Sequence, residues 1–337
     1  MSHRALLAWE EPGWLDRATA WIDERVERTG DVELMLARPW SAIVRVPTAI
    51  GDVWFKENSA PNAYEPALTE LLARRRADCL PDVVDWEEGR ILTKDAGRRL
   101  RNVLDAGQAL PAWGEILPLY AELQVDFMEA VDEALALGAP DDRPELLPDR
   151  YATLGGERID AITAAAERLA GTIPLTVAHM EAHDGNIFVR ESQPVFIDWA
   201  EAVVTHPFIG PLLALRSATE RAGCEPGSEQ VGRLRDAYLE PFTSFASLPE
   251  LRTLFADAYL LFPVSRADSW RRTLDGLPPK VVHEARMFVP ALLLTHVSRP
   301  VPRAASLEAD DKELRHAPPK VVVPSTSSPT TSSQPLS

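Results

Sequence analysis

The stretch of chain whose residue types could do chemistry is Val177-Ala178-His179-Met180-Glu181-Ala182-His183-Asp184-Gly185-Asn186, followed by Pro194-Val195-Phe196-Ile197-Asp198-Trp199. Between the two lie Ile187-Phe188-Val189, an apolar run, and Glu191-Ser192-Gln193-Pro194, which is turn material. The two apolar runs therefore predict an antiparallel hairpin centred near Ser192, with Asn186 opposite Asp198 at its open end. Two oxygen-bearing side chains side by side on adjacent strands suit Mg2+. That ion takes one or two carboxylates from a protein and completes its shell with phosphate oxygens and water.

The spacing carries a second message. His179 precedes Glu181 by two residues, Asn186 follows Glu181 by five, and Asp198 follows Asn186 by twelve. Phosphoryl-transfer loops place a carboxylate first, to orient the acceptor and take its proton, then an Asn and a later Asp for metal. Glu181 and His179 are therefore the candidate catalytic pair, His179 chiefly as a prop for the loop through backbone hydrogen bonds. Asn186 and Asp198 are the candidate metal ligands. A zinc hydrolase is a competing reading, because His179, Glu181 and His183 alternate and would share one face of a strand. Gly185 and the hairpin beyond it make 179–186 a loop, which breaks that face. His183 stays open between a second prop and a substrate contact. Asp184 and Glu201 read as ordinary acidic residues near the site. Trp270 reads as a helix-packing residue, with a substrate cleft as its alternative.

The elements that must position these residues fall into two groups. Before residue 95 the chain is rich in strands. Trp40 to Val46 and Asp52 to Lys56 form a hairpin around Thr48-Ala49-Ile50-Gly51 and end in Lys56. A helix follows over 63–76 with Leu68, Leu71 and Leu72 on its apolar stripe, then strands near 83–86 and 90–93. From about residue 100 the period becomes helical. Trp113, Ile116, Leu117, Tyr120, Leu123, Phe127, Val131 and Leu135 predict one long helix, opened by Pro111 and stopped by Gly138. Further helices are expected over 158–170, 229–242, 249–262 and 281–296.

On these residues the chain resembles the aminoglycoside phosphotransferase-like enzymes, small-molecule kinases related in fold to protein kinases. Their usual loop reads His-x-Asp-x-His-x-Gly-Asn, with a later Ile-Asp-Trp. Here these are His179 to Asn186 and Ile197-Asp198-Trp199, and the likeness extends to His206-Pro207-Phe208. It covers most of residues 35 to 300. It implies an α+β, protein-kinase-like two-lobed fold with a small β-rich N-lobe (1–95) that binds ATP and a larger helical C-lobe (96–315). It also implies ATP and Mg2+ as cofactors and a small-molecule acceptor, phosphorylated on a hydroxyl or amine. Lys56 would hold the α- and β-phosphates and be held in turn by a helix glutamate. Of Glu65 and Glu70, Glu65 shares the Leu68 and Leu72 face, so Glu65 is the expected partner. Leu92-Thr93-Lys94-Asp95 would be the hinge, with Thr93, Lys94 and Asp95 at the adenine edge. Arg38-Pro39-Trp40-Ser41 stands where a phosphate-covering loop belongs, without glycines. The family's Asp is Glu181 here, one methylene longer. A misplacement of about 1 Å costs on the order of 10²-fold in rate. The resemblance thus implies either a re-aimed enzyme or a nucleotide-binding pseudokinase with little turnover.

Composition bounds the rest. The formal net charge of −16 disfavours nucleic acid and anionic membranes as partners. It mildly favours a cationic acceptor, although solubility alone accounts for it. Cys79 and Cys224 are too few for a disulfide scaffold and fit a reducing cytoplasm. The N-terminal apolar run, closed by Glu10 and Glu11, is too short for a signal peptide, and no stretch approaches a membrane helix. Residues 316–337 end in a Ser, Thr and Pro tract that is expected to be disordered.

Overall fold

The computed structural model describes residues 7–157, 159–225, 227–275 and 277. The helix expected over 281–296 and the tail lie outside the described residues. The N-terminal part begins with helix α1 (Trp14–Asp23), strands β1 (Glu33–Ala37), β2 (Ser41–Thr48) and β3 (Gly51–Asn58), helix α2 (Glu65–Arg75), and strands β4 (Val83–Glu87) and β5 (Arg90–Lys94). The five strands form one antiparallel sheet in the order β1-β2-β3-β5-β4.

Strand alternation sorts the two faces of this sheet. Ala42, Val44, Val46, Val53, Phe55 and Leu92 point to one face and bury Ala18, Trp21 and Ile22 of α1. Lys56 sits between Phe55 and Glu57 and therefore points to the other face, toward α2. Glu57, on the α1 face, accepts from Trp14 Nε1 at 3.1 Å and from Arg90 Nε at 2.9 Å. The strand does not end at Lys56 as expected. It runs on to Asn58, whose pairing with Ser41 completes the hairpin ladder.

The chain leaves the sheet through Asp95-Ala96-Gly97 and strand β6 (Arg98–Arg99), then enters the helical part. That comprises α3 (Ala106–Asp126), α4 (Val131–Ala136), α5 (Leu147–Thr153), α6 (Ile159–Leu169), strands β7 (Thr176–Ala178), β8 (Ile187–Arg190), β9 (Gln193–Phe196) and β10 (Val203–Thr205), and helices α7 (Leu212–Ala222), α8 (Glu229–Leu239) and α9 (Leu248–Leu274). The architecture is α+β, with a β-sheet N-terminal part and a helical C-terminal part. Leu68, Leu71 and Leu72 of α2 share one continuous core with Trp113, Leu117 and Tyr120 of α3 and with Trp199 and Phe208.

Two expected helices have different limits. Pro111 does not open α3. The helix starts at a capping box in which Asp105 Oδ1 accepts from Gln108 N at 3.0 Å and Gln108 Oε1 accepts from Asp105 N at 3.3 Å. It gives way at Phe127–Ala130 to a 3₁₀ turn before α4, and Gly138, at φ 95°, does end the run. The helix expected over 249–262 passes through Pro263 to Leu274. A proline inside a helix removes one hydrogen bond. Here the residues on both sides of it, Leu261 to Ser269, are buried against the core, and that packing outweighs the lost bond.

Candidate active site

The loop 179–186 connects β7 to β8 and is fixed from beneath. Tyr120 Oη, buried in α3, accepts from His179 N at 3.1 Å. Both ring nitrogens of His179 are engaged: Nε2 bonds the Ile197 carbonyl at 2.8 Å and Nδ1 accepts from Glu181 N at 3.3 Å. Burial pushes its imidazole below the usual histidine range, so it is a neutral prop. The zinc reading loses His179 to these two bonds, while His183 Nδ1 accepts from Gly185 N at 2.9 Å. Among the described residues no three His, Cys, Asp or Glu side chains are grouped to hold a metal ion.

The loop's turns are tight. Met180 adopts φ 61° with its side chain buried, and Glu181 next to it is half-buried. Asn186 N donates to the His183 carbonyl at 2.9 Å, and Asn186 Nδ2 donates to the Glu181 carbonyl at 3.2 Å. That last bond turns the Asn186 amide oxygen away from the loop. Asp184 reads in the sequence as an ordinary acidic residue near the site. It is instead buried, held by Arg101 Nη2 at 3.0 Å and Arg221 Nη2 at 2.6 Å, and it pins the loop to the 3₁₀ turn Leu100–Asn102 after β6 and to α7.

The hairpin register differs from expectation by one residue. The observed pairs run from Arg190↔Gln193 to Ile187↔Phe196, and Ile197 N donates to the Asn186 carbonyl at 2.9 Å. Asn186 therefore faces Ile197, not Asp198. The cause is a two-residue turn in which Glu191 and Ser192 both take left-handed conformations, φ 50° and 72°, so Gln193 and Pro194 belong to the strand. Asp198 reaches the cleft differently, by its own left-handed backbone at φ 68° just past the strand.

Across the cleft, Lys56 Nζ lies 2.6 and 2.8 Å from the two oxygens of Glu65 and 2.6 Å from Asp198 Oδ1. Asn58 Nδ2 donates to Glu65 at 2.8 Å. Glu70, the other candidate, pairs outward with Arg74 at 2.8 Å. Burial would pull the Lys56 ammonium down, but the Asp198 and Glu65 carboxylates more than reverse this and hold it above the usual lysine range. Burial would raise Asp198, and the Lys56 ammonium beside it holds it below the usual carboxylate range.

The hinge segment is arranged unlike the expectation in one respect. Thr93 pairs within the sheet with Trp54 and Val83. Lys94 N donates to the Asp82 carbonyl at 2.9 Å, so that N–H does not face the cleft. Asp95 accepts from Trp54 Nε1 at 2.8 Å and from Gly97 N at 2.7 Å.

Sequence reasoning gave no warning of Arg266. It projects from α9, 6% exposed. Its Nη2 donates to Glu181 Oε1 at 2.7 Å and its Nη1 to Glu201 Oε2, which also accepts from Ser269 Oγ at 3.0 Å. Burial, set against Arg266, raises the Glu201 carboxyl to about 7. Tyr64 Oη completes this layer, donating to the Ala200 carbonyl at 2.7 Å. Nothing local in the sequence marks Arg266, which lies 85 residues from Glu181.

Asp198 offers a carboxylate and Asn186 an amide oxygen, hard ligands of the type Mg2+ selects, and the Lys56 ammonium beside Asp198 suits phosphate. The residues therefore fit a metal-nucleotide pair. The sequence profile of the phosphotransferase enzyme family matches residues 57–251. No curated protein matches the chain. Among solved structures, an ethanolamine kinase of Plasmodium vivax aligns with a TM-score of 0.55 at 10% identity, over 80% of this chain and 84% of that one. A macrolide 2′-phosphotransferase of Brachybacterium faecium aligns at 0.52 and 16%, over 85% and 98%. An amicoumacin kinase solved with AMP-PNP and Ca2+ aligns at 0.55 and 11%, over 85% and 94%. At these identities the likeness is one of fold.

Proposed function

Because the chain belongs to the phosphotransferase enzyme family, we propose that it transfers the γ-phosphoryl group of ATP, with Mg2+, to a hydroxyl or amine of a small molecule. The observation that carries this reading is the Lys56 ammonium held between Glu65 of α2 and Asp198 beyond β9, above a loop that presents Glu181 and Asn186. Lys56 would bind the phosphates as a point charge whose position Glu65 fixes. Asn186 and Asp198 would hold Mg2+, which supplies neutralisation of charge on the phosphate oxygens. Glu181, with Oε1 bound by Arg266, would offer Oε2 to the acceptor proton. Thr93, Lys94 and Asp95 would border the adenine, with the Lys94 N–H excluded as a donor.

The structural neighbours named above act, by name, on ethanolamine, macrolides and amicoumacin, which supports a small-molecule acceptor. The net charge of −16 favours a cationic one. Cys79 and Cys224 are free thiols, consistent with a cytoplasmic location. No helix among the described residues is long and apolar enough to cross a membrane. The pseudokinase alternative draws no support from the site, where Glu181 is held in place by Arg266.

Calorimetric titration of ATP with and without Mg2+, on the native chain and on Asp198→Ala, tests the reading. Binding that needs Mg2+ and is lost in the variant is expected. Absence of binding to the native chain would remove both the kinase and the pseudokinase readings.

A further inference from the structure

Glu181 looks, beside its family, like a substitution that lengthens the reacting side chain by one methylene. The structure gives that extra length a partner. Arg266 is almost fully buried, and a guanidinium buried this deeply carries a desolvation cost that an ion pair seldom more than offsets. Stability is therefore a poor reason for its presence. Its planar fork spans two carboxylates, Glu181 at 2.7 Å on one arm and Glu201 on the other, and so fixes the direction of both. Ser269, one turn along α9, donates to Glu201 at 3.0 Å and fixes Glu201 in turn.

The helix that carries Arg266 is itself locked in rotation. Asp142, fully buried before α5, accepts from Ser265 Oγ and from Arg272 Nη1 at 3.3 Å, on either side of Arg266 along α9. Arg150 joins Asp142 to Asp268 at 3.3 Å from the latter. Each turn of α9 around Arg266 is thus tied to the body of the C-terminal part, which leaves the guanidinium one direction to point.

An aspartate at 181 would withdraw the carboxylate by one carbon–carbon bond, about 1.5 Å. Its distance to Arg266 would open to roughly 4 Å, beyond a hydrogen bond. We infer that Arg266 is the positioning residue for Glu181: the two are a matched pair, and Glu181 is an adapted length of base rather than a damaged one. This rests on the phosphotransferase reading. It predicts the opposite of what the family pattern suggests, because restoring aspartate should lower activity.

The test uses the full chain as native protein and as Glu181→Asp, Arg266→Lys and the double variant. Turnover of ATP with Mg2+ is followed with water as acceptor, and thermal unfolding is followed without nucleotide. Glu181→Asp is expected to lower kcat by on the order of 10-fold to 10²-fold with KM for ATP unchanged. Arg266→Lys should do the same, and the double variant should be no worse than the poorer single one. Melting shifts in the nucleotide-free proteins should be non-additive in the same sense. The conservative lysine guards against a variant that fails to fold, and Glu181→Gln, which keeps the reach to Arg266, should lose turnover with a smaller melting shift than Glu181→Asp.

Glu181→Asp that equals or exceeds the native rate, or losses that multiply in the double variant, would overturn the pairing. A native chain that binds ATP with Mg2+ but turns nothing over would also overturn it while leaving the nucleotide site intact. A native chain that fails to bind ATP would instead bring down the proposed function itself.

Discussion

At the level of single residues, charge is balanced locally and at some cost. Lys56 faces two carboxylates, Glu65 nearly buried and Asp198 half-exposed. Removing the ammonium leaves Glu65 buried without its cation, which costs about 3 kcal/mol. Lys56→Met should therefore melt well below the native chain and bind ATP at least 10-fold more weakly, the loss expected for one charge-assisted bond. Adding Glu65→Gln should recover much of the melting temperature but none of the affinity. Full recovery of both would show that Lys56 does not touch nucleotide. Glu201 gives a pH signature. Its carboxyl lies near 7 in the folded chain against an ordinary 4.5. The folded state thus holds a proton that the unfolded state has already released between those values. The stability this contributes is present below pH 4.5 and lost as pH rises to about 7, on the order of 3 kcal/mol. Denaturant titrations at pH 5 and pH 7.5 should show that loss in the native chain and a smaller one in Glu201→Gln. Equal pH dependence in both would assign the titration to another group.

At the level of elements, the site depends on close backbone contacts as much as on side chains. Gly97, at φ 92° between the sheet and β6, leaves no room for a Cβ, which would stand 2.2 Å from the Val189 carbonyl oxygen. Gly97→Ala must push β6 off β8 and adopt a disfavoured backbone conformation, so a loss of about 3 kcal/mol is expected in thermal unfolding. A change within 0.5 kcal/mol, the range of ordinary surface substitutions, would mean the strands yield freely. What was legible in the sequence follows the same division. Period-two and period-3.6 patterns placed β2, β3, α2, β4, β5 and most of α3, because burial on one face writes itself into local order. The Leu68 and Leu72 face also selected Glu65 over Glu70, and the structure brings Glu65 to Lys56. The hairpin register was missed because it turns on Glu191 and Ser192 adopting left-handed backbone, which neither residue type announces. Arg266, Arg101 and Arg221 were missed because their carboxylate partners are remote in sequence, and an isolated arginine on a helix looks like a solvated one.

At the level of the whole molecule, the two parts of the chain are joined at more than the Asp95-Ala96-Gly97 connection. Lys56 reaches Asp198, and Tyr64 at the head of α2 reaches the backbone of Ala200 and Ala202. A third link is aromatic. Trp40, in the tight turn between β1 and β2, meets Trp270 of α9 edge to face, with ring centroids 5.4 Å apart. Trp270 follows Arg266 by one turn, so the helix that holds Glu181 also touches the turn that stands where a phosphate-covering loop would lie. An edge-to-face pair contributes about 1 kcal/mol beyond its buried area. Trp270→Ala should therefore free the β1–β2 turn without disturbing Arg266, whose own bonds to Glu181 and Glu201 remain. Hydrogen exchange read by peptide mass should accelerate by about 5-fold over residues 37–43, the factor that 1 kcal/mol supports, with α9 protected as before. Unchanged exchange in that turn would mean the tryptophans merely touch, and that the Lys56 to Asp198 pair and the Tyr64 bonds hold the two parts together without them.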